Sequence, residues 1–172
     1  VLDGQLYIGT QTGVGSNGAL IYRSNNAATS TGEANWTAVN SAAGTFVATN
    51  VDGVGDMAVF NGTLFFSTQE PNAAELYEHL GGAGLTGASA FKSLTFTAGK
   101  FVTGDTADID EMKLAVYGSR LMLGAITAGA GTSGASNTAR LGYYDGSATG
   151  PVRVNTTLGQ FSTDAPAYTG FS

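Results

Sequence analysis

The side chain best suited to chemistry in this sequence is its only histidine, His79, which follows Glu78. A Ser-His-Asp relay would have to run through it, because a general base must take the proton from the attacking hydroxyl. Ser67, Ser93 and Ser119 show no sign of a strained nucleophile turn, so the expectation for His79 is an exposed position at a strand end. A second group is the acidic run Asp105, Asp108, Asp110 and Glu111. Oxygen ligands at such spacing suit calcium, but the run lacks the pattern and central glycine of an EF-hand loop. A solvated acidic loop is the simpler expectation, and no other cofactor is implied. The chain has no cysteine, which removes thiol nucleophiles, zinc–thiolate sites and disulfides.

Aromatic residues form a third group: Tyr22, Trp36, Tyr77, Tyr143 and Tyr144. Aromatic faces stack on sugars, which makes them the candidate ligand-binding residues, and they serve equally well as core. Composition limits the partners. Net charge is −6 and only 7 residues are Lys or Arg, so no basic face is available to neutralise phosphates, and nucleic acid is not an expected partner. No apolar run approaches the ~18 residues of a membrane span. Charged residues are 12% of the chain, with Gly, Ala, Ser, Thr and Asn abundant, which points to a secreted or cell-surface protein.

These residues sit on a repeat. Val1-Leu2-Asp3-Gly4-Gln5-Leu6-Tyr7-Ile8 matches Val59-Phe60-Asn61-Gly62-Thr63-Leu64-Phe65-Phe66 and then Val116-Tyr117-Gly118-Ser119-Arg120-Leu121-Met122-Leu123. Leu6, Leu64 and Leu121 recur at intervals of 58 and 57 residues. Further matches follow in the same order in each copy: Leu20-Ile21-Tyr22, Leu76-Tyr77 and Leu141-Gly142-Tyr143, then Trp36, Phe91 and Val152, then Gly44-Thr45-Phe46, Gly99-Lys100-Phe101 and Gly159-Gln160-Phe161. Asp3-Gly4 and Asn61-Gly62 predict type I′ hairpins, whose two central residues need positive φ. The reading is all-β: three four-stranded antiparallel repeats of about 57 residues, of the kind that forms β-propeller blades. Residues 1–52 supply the last three strands of the first unit, 53–107 the second unit and 108–163 the third. Residues 164–172 supply the first strand of another copy's first unit.

Tyr22-Arg23-Ser24-Asn25 followed by Gly32-Glu33-Ala34-Asn35-Trp36-Thr37 resembles a stretched Asp-box, and the strand pattern of the whole chain is similar to extracellular Asp-box and kelch-like propeller repeats. The resemblance implies a propeller scaffold. It also implies, as the enzymatic alternative, a glycan-active hydrolase of sialidase type. That chemistry needs an arginine cluster, and Arg23, Arg120, Arg140 and Arg153 fall at different positions of the repeat.

Phe171-Ser172 followed by Val1-Leu2-Asp3-Gly4 matches Met57-Ala58-Val59-Phe60-Asn61-Gly62. Either the chain is one period of a longer tandem array, or separate chains assemble through residues 167–172, as a six-bladed ring or an open array. The expected function is a non-enzymatic extracellular structural or binding module, with a scaffold and a glycan binder as its two forms. The first burial expectation is that Leu6, Ile8, Leu64, Phe66, Leu121 and Leu123 are all buried within their sheets. The second is that Tyr7, Phe65 and Met122 face neighbouring units.

Overall fold

A computed structural model of the protein describes residues 1–13, 18–25, 32–40, 42–46, 51–71, 73–81, 90–95, 97–100, 109–127 and 138–154. Their strands are β1 (Tyr7–Gly9), β2 (Ile21–Ser24), β3 (Trp36–Ala38), β4 (Gly53–Phe60), β5 (Thr63–Gln69), β6 (Leu76–His79), β7 (Phe91–Ser93), β8 (Ile109–Tyr117), β9 (Arg120–Thr127), β10 (Thr138–Tyr144) and β11 (Val152–Arg153). One 3-10 turn, Glu33–Asn35, precedes β3. The fold is all-β, and no described helix is long and apolar enough to cross a membrane.

Turn chemistry sets the hairpins. Asn61 and Gly62 have φ of 49° and 75°, and Asp3 and Gly4 have 50° and 73°, the double positive φ of a type I′ turn. At the third hairpin only Gly118 is positive, at 58°, as a type II′ turn requires. Each turn is closed by an equivalent pair: Leu2 with Gln5, Phe60 with Thr63, and Tyr117 with Arg120.

The three units share their hydrogen bonds as well as their sequence pattern. Val39, Leu94 and Val154 N–H groups donate to the carbonyls of Ile21, Leu76 and Leu141 at 2.8, 2.9 and 2.8 Å. Leu20 N–H donates to the Thr10 hydroxyl at 2.8 Å. Glu75 N–H donates to the Thr68 hydroxyl, also at 2.8 Å. The registers place Ile8 beside Tyr22, Phe66 beside Tyr77 and Leu123 beside Gly142.

Side chains alternate across a strand, and paired residues share a face. One face, here called leading, carries Leu6, Ile8, Tyr22 and Trp36 in the first unit, and Leu64, Phe66, Tyr77 and Phe91 in the second. In the third unit it carries Leu121, Leu123 and Tyr144. The opposite, trailing face carries Tyr7, Ile21 and Val39, then Phe65, Leu76 and Leu94, then Met122, Leu141 and Val154. Two cores result. In one, Ile21, Val39 and Phe46 meet Phe66, Tyr77 and Phe91. In the other, Phe65, Leu76 and Leu94 meet Leu121, Leu123 and Tyr144. Each core therefore joins the trailing face of one unit to the leading face of the next.

The propeller expectation is overturned. β1–β2–β3 is a separate three-stranded sheet, whereas the other eight strands form one curled, half-barrel-like sheet rather than independent blades. The hydrogen-bond path continues from β5 to β8 through Gln69↔Glu111, and Glu70 N–H donates to the Asp110 carbonyl at 3.2 Å. Asp56 fastens the same junction: its carboxylate accepts Leu114 N–H at 2.8 Å. Ladder pairing between units removes the free boundaries that blades would need. The Asp-box and kelch-like resemblance falls with it.

Part of the burial expectation also fails. Leu64, Phe66, Leu121 and Leu123 are 3% exposed or less, but Leu6 is 37% and Ile8 47% exposed. The leading face of the first unit is therefore open at Leu6 and Ile8, with Tyr22 and Trp36 half-buried and Ser24 buried beside them. Residues 155–172, including the proposed strand at 167–172, lie outside the described residues.

Candidate functional site

On the leading face of the first unit two of the aromatic candidates, Tyr22 and Trp36, line a common cleft. Tyr22 stands at the centre of β2, and Trp36 opens β3 directly after the 3-10 turn. That turn is held from β2. Asn25 N–H donates to the Asn35 carbonyl at 2.7 Å. The Asn25 side chain accepts from the Thr37 hydroxyl at 2.9 Å and donates to the Ala34 carbonyl at 3.2 Å. Tyr22, Trp36, Ile8 and Glu33 then wall an open cleft of about 430 Å³. Among the described residues, two aromatic side chains, one aliphatic side chain and one exposed carboxylate line it. Such a cleft accepts an apolar surface with a hydrogen-bond donor at its edge. Ile8 and Glu33 were not legible as site residues, because Ile8 matches the buried Phe66 and Glu33 lies in a segment with no counterpart motif.

The other aromatic candidates are elsewhere. Tyr77 is fully buried, stacked on Phe66 with ring centroids 5.2 Å apart, and its hydroxyl donates to Glu75. Glu75 also accepts from the Ser93 hydroxyl at 3.0 Å. Tyr144 packs against Phe65 at 5.6 Å, and burial, then Glu78 and Asp145, pushes its phenol pKa up. Tyr143 is on the trailing face of the third unit, with the Arg120 guanidinium 4.2 Å above its ring.

The acidic candidates divide. Asp105 and Asp108 lie outside the described residues. Glu111 pairs with Lys113 at 2.5 Å. Asp110 and Asp52 line a smaller cleft of about 180 Å³ with Gln11, Thr12, Gln69 and Pro71. Beside it the Glu70 carboxylate accepts Asp52 N–H at 3.1 Å. Burial and then the Asp52 charge push its pKa up. Among the described residues, no group of three or more His, Asp or Glu is placed to hold a metal ion.

His79 is not the exposed residue its position suggested. It is 2% exposed, between Tyr7 and Phe91 at centroid distances of 6.0 and 5.6 Å. Neither ring nitrogen has a hydrogen-bond partner. Burial and then Arg23 lower its pKa, so it is held as neutral imidazole.

No protein-family model and no curated protein sequence matches the chain.

Proposed function

We propose that this chain is a non-enzymatic extracellular structural module that assembles with copies of itself. The observation that carries this reading is the leading face of the first unit. The same positions are buried in the second and third units, yet Leu6 and Ile8 stand 37% and 47% exposed. Burying apolar area is worth about 25 cal/mol per Å², so a face built from core positions gains by acquiring a cover. The edge of β1 adds to this: it pairs with β2 on one side, and between the isolated bridges Leu2↔Gln5 and Gln11↔Gly53 its other side has no strand among the described residues. An unpaired edge favours association. Sedimentation velocity over a hundredfold range of concentration, about that range being needed to span an association transition, tests the reading. A rising sedimentation coefficient is expected, and a constant monomer value would end it.

A second reading is favoured by the Tyr22–Trp36 cleft, whose paired aromatics and Glu33 carboxylate suit the apolar face of a sugar ring and its hydroxyls. Trp36 is the only tryptophan, so its fluorescence reports directly on that cleft. Saturable quenching by an oligosaccharide, with the chain remaining monomeric, would favour the glycan binder over the self-assembling module.

A further inference from the structure

We infer that the partner surface for the exposed leading face is the trailing face of the third unit in a second copy, docked head to tail. The inference rests on the self-assembly reading and specifies which surfaces meet.

The molecule makes this kind of contact twice within itself. Tyr7 on the first trailing face meets His79 on the second leading face with ring centroids 6.0 Å apart. Phe65 on the second trailing face meets Tyr144 on the third leading face at 5.6 Å. Leu6, Leu64 and Leu121 are equivalent, and the ladder registers make Ser24, His79 and Tyr144 equivalent. Tyr7, Phe65 and Met122 occupy the matching position on the other face. Both internal contacts therefore join the same two positions of the repeat. The next contact in the series sets Met122 of one copy against the exposed Leu6 of another, which stands over the buried Ser24.

The third trailing face is open in the way this docking needs. Val154 makes the same backbone bond as Val39 and Leu94, which are 3% and 7% exposed, but Val154 itself is 49% exposed. Val152 and Tyr143 share its row with Met122. Charge agrees as well: the exposed Arg120 borders this face, and the exposed Glu33 borders the cleft of the other. The two surfaces differ, so the contact is heterologous.

The absence of cysteine gives a clean test. One preparation carries Leu6→Cys and another Met122→Cys, and the two are mixed with a short bis-maleimide. The control pair replaces Met122→Cys with Thr97→Cys, an exposed position in the second unit. The expected result is a covalent heterodimer in the first mixture, at least about tenfold above the control. Val154→Asp and Trp36→Asp, each checked for a native circular-dichroism spectrum, should each weaken association of the unmodified chain by about tenfold or more, the cost expected of one buried charge. If one of them fails to fold, the other and the cross-link still decide. Association without preferential Leu6–Met122 cross-linking would overturn the docking while leaving self-assembly standing. A chain that sediments as a monomer throughout would overturn both.

Discussion

His79 shows what an aromatic slot does to a polar ring. Tyr144 occupies the equivalent position in the third unit, so the site is built for an aromatic side chain. Two buried ring nitrogens without partners carry a desolvation penalty of about 1–3 kcal/mol. Replacing His79 by Phe should raise stability by about 1 kcal/mol in urea titrations. The pH response follows from the lowered pKa. Above the ordinary value of 6.5 both folded and unfolded chains hold neutral His79, so the residue is silent. As pH falls below that value the unfolded chain takes up a proton that the folded chain refuses, and stability declines until the folded value is reached. His79→Phe should remove that part of the decline and leave the stability above pH 6.5 flat with respect to this residue. Glu75 presents the opposite case, a buried carboxylate served by the hydroxyls of Tyr77 and Ser93. Its position holds Leu20 in the first unit, yet Glu75→Leu should cost about 2 kcal/mol, because the hydroxyls of Tyr77, Ser93 and Thr95 lose a carboxylate acceptor. Adding Tyr77→Phe should recover part of that loss, which a double-mutant cycle measures.

At the level of strands, turn chemistry was the most legible feature. Asp3-Gly4 and Asn61-Gly62 name their hairpins because few other residue pairs tolerate two positive φ angles. Gly62→Ala should therefore cost about 1–2 kcal/mol in thermal or urea unfolding, although a Cβ there would meet nothing within 4 Å. Gly9 fails for a different reason: a Cβ would lie 2.5 Å from Val54, so Gly9→Ala must push β4 away from β1. The order of strands within each unit was legible from the recurring apolar stretches. The joining of units was not. Gln69↔Glu111 is a backbone pairing, and backbone pairing leaves no mark on side-chain pattern, so the sequence looked equally compatible with separate blades. The candidate site was half legible. Tyr22 and Trp36 were identifiable as aromatics of the first unit. Ile8 was assigned to the core because its match, Phe66, is core; a sequence match shows that two positions are alike, not that both are covered.

Across the whole molecule the strength of attachment is uneven. The first sheet is held by the Phe46-centred core, by the Gln11↔Gly53 bridge and by a few loop hydrogen bonds, whereas β8, β9 and β10 form long continuous ladders. Amide hydrogen exchange should accordingly be fastest at Tyr7 and Gly9 and slowest in β9, and raising the protein concentration should slow exchange at Tyr7 and Gly9 first. Uniform exchange across β1 and β9 would contradict this ordering. The junction at Asp56 and Leu114 has a mechanical meaning. Nearly every other ladder joins consecutive antiparallel strands, so a pull along the chain would open it like a zipper, one bond after another. The Asp56 carboxylate and the Lys113 ammonium, which reaches the Gly55 carbonyl at 3.0 Å, instead tie together segments 58 residues apart. They act as a clasp that must break before the lengths on either side can extend. A chain under tension would thus yield in two stages, and Asp56→Ala should merge them into one in single-molecule pulling.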